Sequence, residues 1–144
     1  RPRSFEHGLF FFAYTAGEHM SASQTDTLLS VPLHSVAHAR AGDKGNRLNV
    51  CLMPYNPHAF ASLAQQLSPE VVMQAYAHRG AKAVRRYDLP LLSAFNFVID
   101  HVLEGGVNGS LNLDGHGKSN SFILLGLTVQ VRPEWVRPCS SLPF

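Results

Sequence analysis

Two short segments of this chain carry the residue types that chemistry needs. Residues 40–46, Arg40-Ala41-Gly42-Asp43-Lys44-Gly45-Asn46, set two glycines beside a lysine and an arginine. Glycines let backbone N–H groups turn toward one point and the cations add charge, so the segment suits a carboxylate or a phosphate. It lacks the Gly-Lys-Ser/Thr ending and the following helix of a P-loop. The competing reading is a tight turn in which Asp43 bonds its own backbone and Lys44 sits in solvent. The second segment is Asp114-Gly115-His116-Gly117-Lys118. In an extended backbone, side chains two apart emerge on one side, so Asp114 would lie beside His116. A carboxylate there fixes the histidine tautomer and raises its basicity, which makes His116 the candidate general base and Asp114 its orienting partner. The structural alternative is a plain surface turn.

Other polar groups add to these segments or compete with them. Asp114 and His116 would supply two metal ligands, too few for a site unless His34 or His38 came near, and no metal centre is expected. His34 and His38 have the spacing of a helical zinc pair but fall in a predicted strand, so they read as ordinary core or surface histidines. Lys82, Arg85 and Arg86 form a basic cluster that would be a solvated face or an extension of an anion site. Asn96, between Phe95 and Phe97, needs hydrogen-bond partners if buried and would pin one of the glycine loops. The candidate ligand-binding set is therefore Arg40, Asp43, Lys44, Asn46, Asn96 and Lys118, with His116 and Asp114 as the candidate catalytic pair. No Gly-x-Ser-x-Gly or Cys-His arrangement points to covalent catalysis, and no hydride or nucleotide cofactor is signalled.

The elements that must position these residues follow from periodicity and turn chemistry. Residues 31–39 read as a first strand, with Pro32 confining its start to an edge, and Leu48, Val50 and Leu52 mark the apolar face of a second. Asn56-Pro57 and Ser68-Pro69 each cap a helix start, and Gly80 supplies a left-handed stop. Residues 83–87 read as a third strand. Pro90 then opens a predicted helix with Leu92, Phe95, Ile99, Val102 and Leu103 as its stripe, ended by Gly105-Gly106. Residues 110–114 and 121–131 read as strands. This order predicts an α+β, ferredoxin-like sandwich: a mostly antiparallel sheet covered by helices on one face.

Length and composition bound the remaining choices. At 144 residues, 45% hydrophobic and 15% charged, the chain has the material for one core. Residues 1–30 read as an amino-terminal arm, 31–132 as the domain and 133–144 as an extended proline-rich tail whose Trp135 needs apolar cover. Residues 1–19 precede Met20 and read either as an addition or as the product of an upstream start. Their run Phe10-Phe11-Phe12 is too short to span a bilayer, and no clear cleavage pattern supports export. Cys51 and Cys139 lack CxxC spacing and read as reduced thiols, hence a cytoplasmic setting. The net charge of +2 demands neither nucleic acid nor membrane as partner.

Several ordered motifs together resemble a known family. These are His38-Ala39-Arg40-Ala41-Gly42-Asp43-Lys44-Gly45-Asn46, Arg86-Tyr87-Asp88-Leu89-Pro90 with Ala94-Phe95-Asn96-Phe97, Leu103-Glu104-Gly105-Gly106, and Leu113-Asp114-Gly115-His116-Gly117-Lys118. The stretch of about residues 32 to 132 is similar to the AtuA-like domains, named for the carboxy-terminal part of acyclic terpene utilisation proteins. The resemblance implies a ferredoxin-like fold, either fused behind a larger domain or standing alone. It also implies an association with bacterial catabolism of terpenoid and other acyl-CoA compounds. The family's polar motif residues fall on Arg40, Asp43, Lys44, Asn46, Asn96, Asp114, His116 and Lys118, and Ala41 stands where a serine is more usual.

These readings together lead to an expected non-catalytic assembly or accessory module that forms a homo-oligomer or docks on a larger catabolic enzyme. The alternatives are a carboxylate- or CoA-type anion-binding protein or enzyme with a His-Asp base, and an RNA-binding module of the kind ferredoxin-like sheets form. The last lacks a paired aromatic platform.

Overall fold

In the computed structural model of this protein, residues 27–138 are described. A four-stranded antiparallel sheet has the order β2-β3-β5-β4, formed by β2 (Ala37–Lys44), β3 (Arg47–Pro54), β4 (Ala83–Leu89) and β5 (Ala94–Asp100). A separate two-stranded ladder pairs β1 (Leu29–Pro32) with β6 (Thr128–Val131). The helices are α1 (Phe60–Gln66), α2 (Pro69–Ala75) and α3 (Ser121–Leu125). Entered at β3, the chain runs strand, helices, strand, strand, helix. β2 then occupies the edge that the last strand of a βαββαβ unit would fill, so this is a ferredoxin-like α+β sandwich begun one strand early. Among the described residues, no helix is long and apolar enough to cross a membrane.

Alternation along the central strands decides which face is covered. Leu48, Val50 and Leu52 of β3 and Phe95, Phe97 and Ile99 of β5 are fully buried, and they pack with Leu63, Val72, Tyr76 and Leu124 from the helices. The intervening residues Asn49, Cys51, Asn96, Val98 and Asp100 are half-buried on the open face. The predicted caps form: the Asn56 side chain accepts from the His58 N–H at 3.0 Å and that of Ser68 from the Val71 N–H at 3.3 Å. Gly80 stops the second helical segment at φ +82°. Gln66 ties α1 to β6, since its side-chain amide donates to the Gln130 carbonyl at 2.8 Å and accepts from the Gln130 N–H at 2.7 Å, much as a neighbouring strand would. Trp135 finds its cover against the core.

Four elements differ from the sequence expectation, each for a physical reason. The first strand breaks at a 3₁₀ turn, Leu33–Ser35, and resumes as β2, which runs through Arg40 and Gly42 to Lys44 and leaves only Gly45 and Asn46 as the hairpin loop. The helix expected after Pro90 is one 3₁₀ turn, Pro90–Leu92, stopped by Ser93 at φ +47°. The chain then becomes β5, where the period of two through Phe95, Phe97 and Ile99 prevails over a helical spacing that two of those residues also satisfy. Residues 110–114 form turns in place of a strand, with Leu111 and Leu113 exposed. The long strand expected at 121–131 divides at Gly126 into α3 and β6. The tail includes a 3₁₀ turn, Pro133–Trp135. The amino-terminal arm and Cys139 lie outside the described residues.

Gly105-Gly106 is not a helix stop. A Cβ on Gly106 would lie 2.8 Å from both the carbonyl carbon and the oxygen of Gly45, so this loop touches the β2–β3 hairpin backbone to backbone. Gly106→Ala, also strained at φ +85°, should cost about 2–4 kcal/mol in urea denaturation. Gly45→Ala, which meets nothing within 4 Å, should cost only the left-handed backbone term of about 1 kcal/mol. Equal losses would mean that the contact does not exist.

Candidate functional site

The open-face row of β2 reads Arg40, Gly42, Lys44. The missing middle side chain leaves a gap facing Asn49, its cross-strand partner, beside Cys51, which pairs with Arg40. A hollow of about 200 Å³ occupies that gap, lined by Arg40, Gly42, Lys44, Asn49, Cys51 and, from the distant segment, Lys118. Lys118 Nζ lies 3.0 Å from the point where a Gly42 Cβ would stand. The two glycine-bearing segments therefore meet in space.

Asp114 accounts for how the second segment is held. Its carboxylate accepts from the Lys118 N–H at 2.9 Å, the Ser119 N–H at 2.7 Å and the Ser119 hydroxyl at 2.6 Å, capping the 3₁₀ turn Lys118–Asn120 that leads into α3. Gly117 permits the approach. At φ +66° its Cβ would strike Leu103 and Leu48 methyl carbons at 2.7 Å. Lower down, the buried Tyr76 hydroxyl donates to the Asn120 carbonyl at 2.6 Å and anchors the end of the turn. Burial pushes that phenol well above its usual range, so it stays a neutral donor.

The geometry corrects the expected pairing of His116 with Asp114. Residues 114–117 form a turn, so side chains two apart do not emerge together, and Asp114 is committed to the backbone at 118–119. His116 Nδ1 instead lies 3.2 Å from Asp43 Oδ1, across the gap between the segments. A carboxylate accepts only, so the proton of that bond sits on Nδ1 and Nε2 is left as the group that would take up another. Hydrogen bonding from His116, helped by the charge of Lys118, holds the Asp43 carboxyl below its usual range. Asp114 is likewise held low, first by the Ser119 hydroxyl and then by the backbone N–H groups of its turn.

The remaining expected residues separate. Asn46 serves the frame: its side-chain oxygen accepts from the Leu103 N–H at 3.1 Å and its carbonyl from the His101 N–H at 3.0 Å, which fixes the turn after β5. Asn96 stands on the open face between Cys51 and Tyr87 and does not line the hollow. The basic cluster is split by strand alternation. Arg86 points to the helix side, donating to the Ala64 and Leu67 carbonyls at the end of α1 at 2.6 and 2.9 Å, while Arg85 faces the open side, 3.5 Å from Asp100. Sequence reading missed Asn49, Cys51, Arg47 and His101; the odd positions of β3 were the available signal for the first three. Among the described residues, no three metal-ligating side chains converge.

Fold and site together define a ferredoxin-like α+β domain with a cationic hollow on the open face of its sheet. The family description AtuA ferredoxin-like domain matches residues 31–130, and the chain belongs to that family. No curated protein and no solved structure matches it.

Asp114→Asn should cost about 1–2 kcal/mol, because a charged acceptor of three hydrogen bonds is lost. The depressed carboxyl pKa sets the sign of the pH dependence. The contribution of Asp114 is complete above the ordinary aspartate pKa of about 4 and disappears as pH falls through the lower folded value. The gap in Tm between wild type and variant, followed by circular dichroism from pH 6 down to pH 2, should therefore be constant above about pH 4 and then close. A gap that does not change with pH would rule out this role.

Proposed function

We propose that this domain binds a small carboxylate- or phosphate-type anion in the hollow over Gly42 and serves as an accessory module in the catabolism that its family accompanies. The observation that carries the reading is the meeting of Arg40, Lys44 and Lys118 around a gap whose lining, among the described residues, includes no carboxylate. Three converging cations repel one another unless an anion joins them, and a half-enclosed site strengthens that attraction relative to bulk water. Asn49 adds an uncharged hydrogen-bonding group on the floor. His116, which Asp43 orients in place of Asp114, stands outside the lining of the hollow, so it would serve as a base only for a ligand that extends beyond it, with the lysines stabilising negative charge that develops.

A second reading, an assembly module that docks on a larger enzyme or a second copy of itself, has its own support. Leu91 is 100% exposed and Leu92 72% exposed on the turn between β4 and β5, and with Leu89 and Pro90 they form an apolar corner. Apolar side chains gathered at one surface point favour cover by a partner.

Gly42→Val separates an anion site from a structural lock. The position is extended, the nearest atom to an added Cβ is the mobile end of Lys118, and β-branched residues suit strands. Stability should stay within about 1 kcal/mol of wild type while the gap is filled. By isothermal titration calorimetry with inorganic phosphate and with acetate, Gly42→Val and Lys118→Ala should each weaken binding about tenfold or more, and wild-type affinity should fall as salt rises. Equal binding by wild type and both folded variants, or no binding by wild type, would remove the anion reading.

A further inference from the structure

Next to the first hollow, the same face of the sheet has a second. It is lined by Lys44, Asn46, Arg47, Asp100 and His101, so Lys44 forms a wall common to both. The registers explain the adjacency. Lys44 pairs with Arg47 and Arg47 with Asp100, one row further along the sheet than Gly42 and Asn49. Asp100 is the acidic group here, and it is shared: Arg47 bonds one of its oxygens and Arg85 lies 3.5 Å from the other. Of the lining groups, the cations Lys44 and Arg47 face the single carboxylate of Asp100, so the balance of the second hollow is positive as well.

The turn that closes this hollow is held out of its ordinary conformation. His101 has φ +66° and is exposed, a strained position for a residue with a side chain, kept by its N–H bond to the Asn46 carbonyl at 3.0 Å. This conformation sets an imidazole at the rim, with Nδ1 3.5 Å from the Asn46 amide. The second hollow accordingly offers a guanidinium, an ammonium, an amide and an imidazole beside the Asp100 carboxylate, which Arg47 and Arg85 neutralise.

We infer that the two hollows are halves of one site for an elongated ligand with an anionic group at each end, and that Lys44 lies between the ends. This rests on the anion reading of the first hollow and extends it to a class of ligand. Two residues of strand span about 7 Å, so the two charged ends should stand on the order of 7–10 Å apart. Dicarboxylates and bisphosphates with a short spacer share this chemistry. A single-headed anion would fill one hollow and gain nothing from the other. A ligand reaching both binds its second end at high effective concentration.

The test is calorimetric titration of the whole chain at fixed ionic strength. The single-headed probes are acetate and inorganic phosphate; malonate is a dianion too short to span, and adipate and suberate are able to span. Glucose 6-phosphate and fructose 1,6-bisphosphate form the parallel phosphate arm. One spanning series should bind about tenfold or more tightly than its short or single-headed members, and the series that does so identifies the head group. Arg47→Gln, which leaves Arg85 beside Asp100, and His101→Asn, whose side chain tolerates the left-handed backbone, should each abolish that gain and leave phosphate and acetate binding unchanged. Adipate no tighter than malonate and the bisphosphate no tighter than the monophosphate, with single-headed binding retained, would overturn the two-ended site and leave the anion reading standing. Loss of binding by every probe would overturn both.

Discussion

A loop can settle this closely on its neighbours only where it carries no side chain at the point of contact, and the open face of this domain depends on two glycines so placed. Gly106 rests on Gly45 and Gly117 settles between Leu48 and Leu103, at separations of 2.7–2.8 Å from where their Cβ atoms would be. These approaches bring the loop after β5 down onto the β2–β3 hairpin. Only then does Lys118, more than seventy residues beyond Gly42 in the chain, reach across the gap in the β2 row. A methyl group on Gly106, whose neighbours are backbone atoms, would press the loop away from the hairpin.

The electrostatic character of the face follows from how the carboxylates are engaged. Asp114 is turned to its own turn, Asp43 to His116, and Asp100 to Arg47 and Arg85. Each acid near the open face or its rim thus has a partner outside the first hollow. Arg40, Lys44 and Lys118 are the charged groups of that hollow. A nearly neutral chain in this way carries a locally cationic surface, which net charge alone could not reveal.

Much of this architecture was legible where signals were short and strong. The capped starts at Asn56 and Ser68, the stop at Gly80 and the alternating β3 all follow from local chemistry. The glycine-bearing segments were also visible as the place where Arg40, Lys44 and Lys118 would gather. Illegible were features set by tertiary contact. Residues 95 and 99 satisfy helical and strand periods alike, and only the strands on either side, β3 and β4, decide for a strand. Asp114 was read as the partner of His116 because nearness in sequence was taken for nearness in space. The turn reverses that, and the closer carboxylate comes from a residue more than seventy positions away. A hydroxyl five residues after Asp114, at Ser119, was the sign of a cap.

The sheet order bears on how the two proposed functions coexist. β2 is one edge and β4 the other, with β3 and β5 between them. The hollow over Gly42 belongs to the β2 edge, and the apolar corner at Leu91 and Leu92 to the turn joining β4 and β5. A partner seated on that corner would cover about the width of the sheet away from Lys118 and leave the cationic face open. Docking and anion binding therefore do not compete for the same surface. A domain of this size can hold a larger enzyme at one edge while presenting charge at the other, so evidence for assembly would not count against a ligand site.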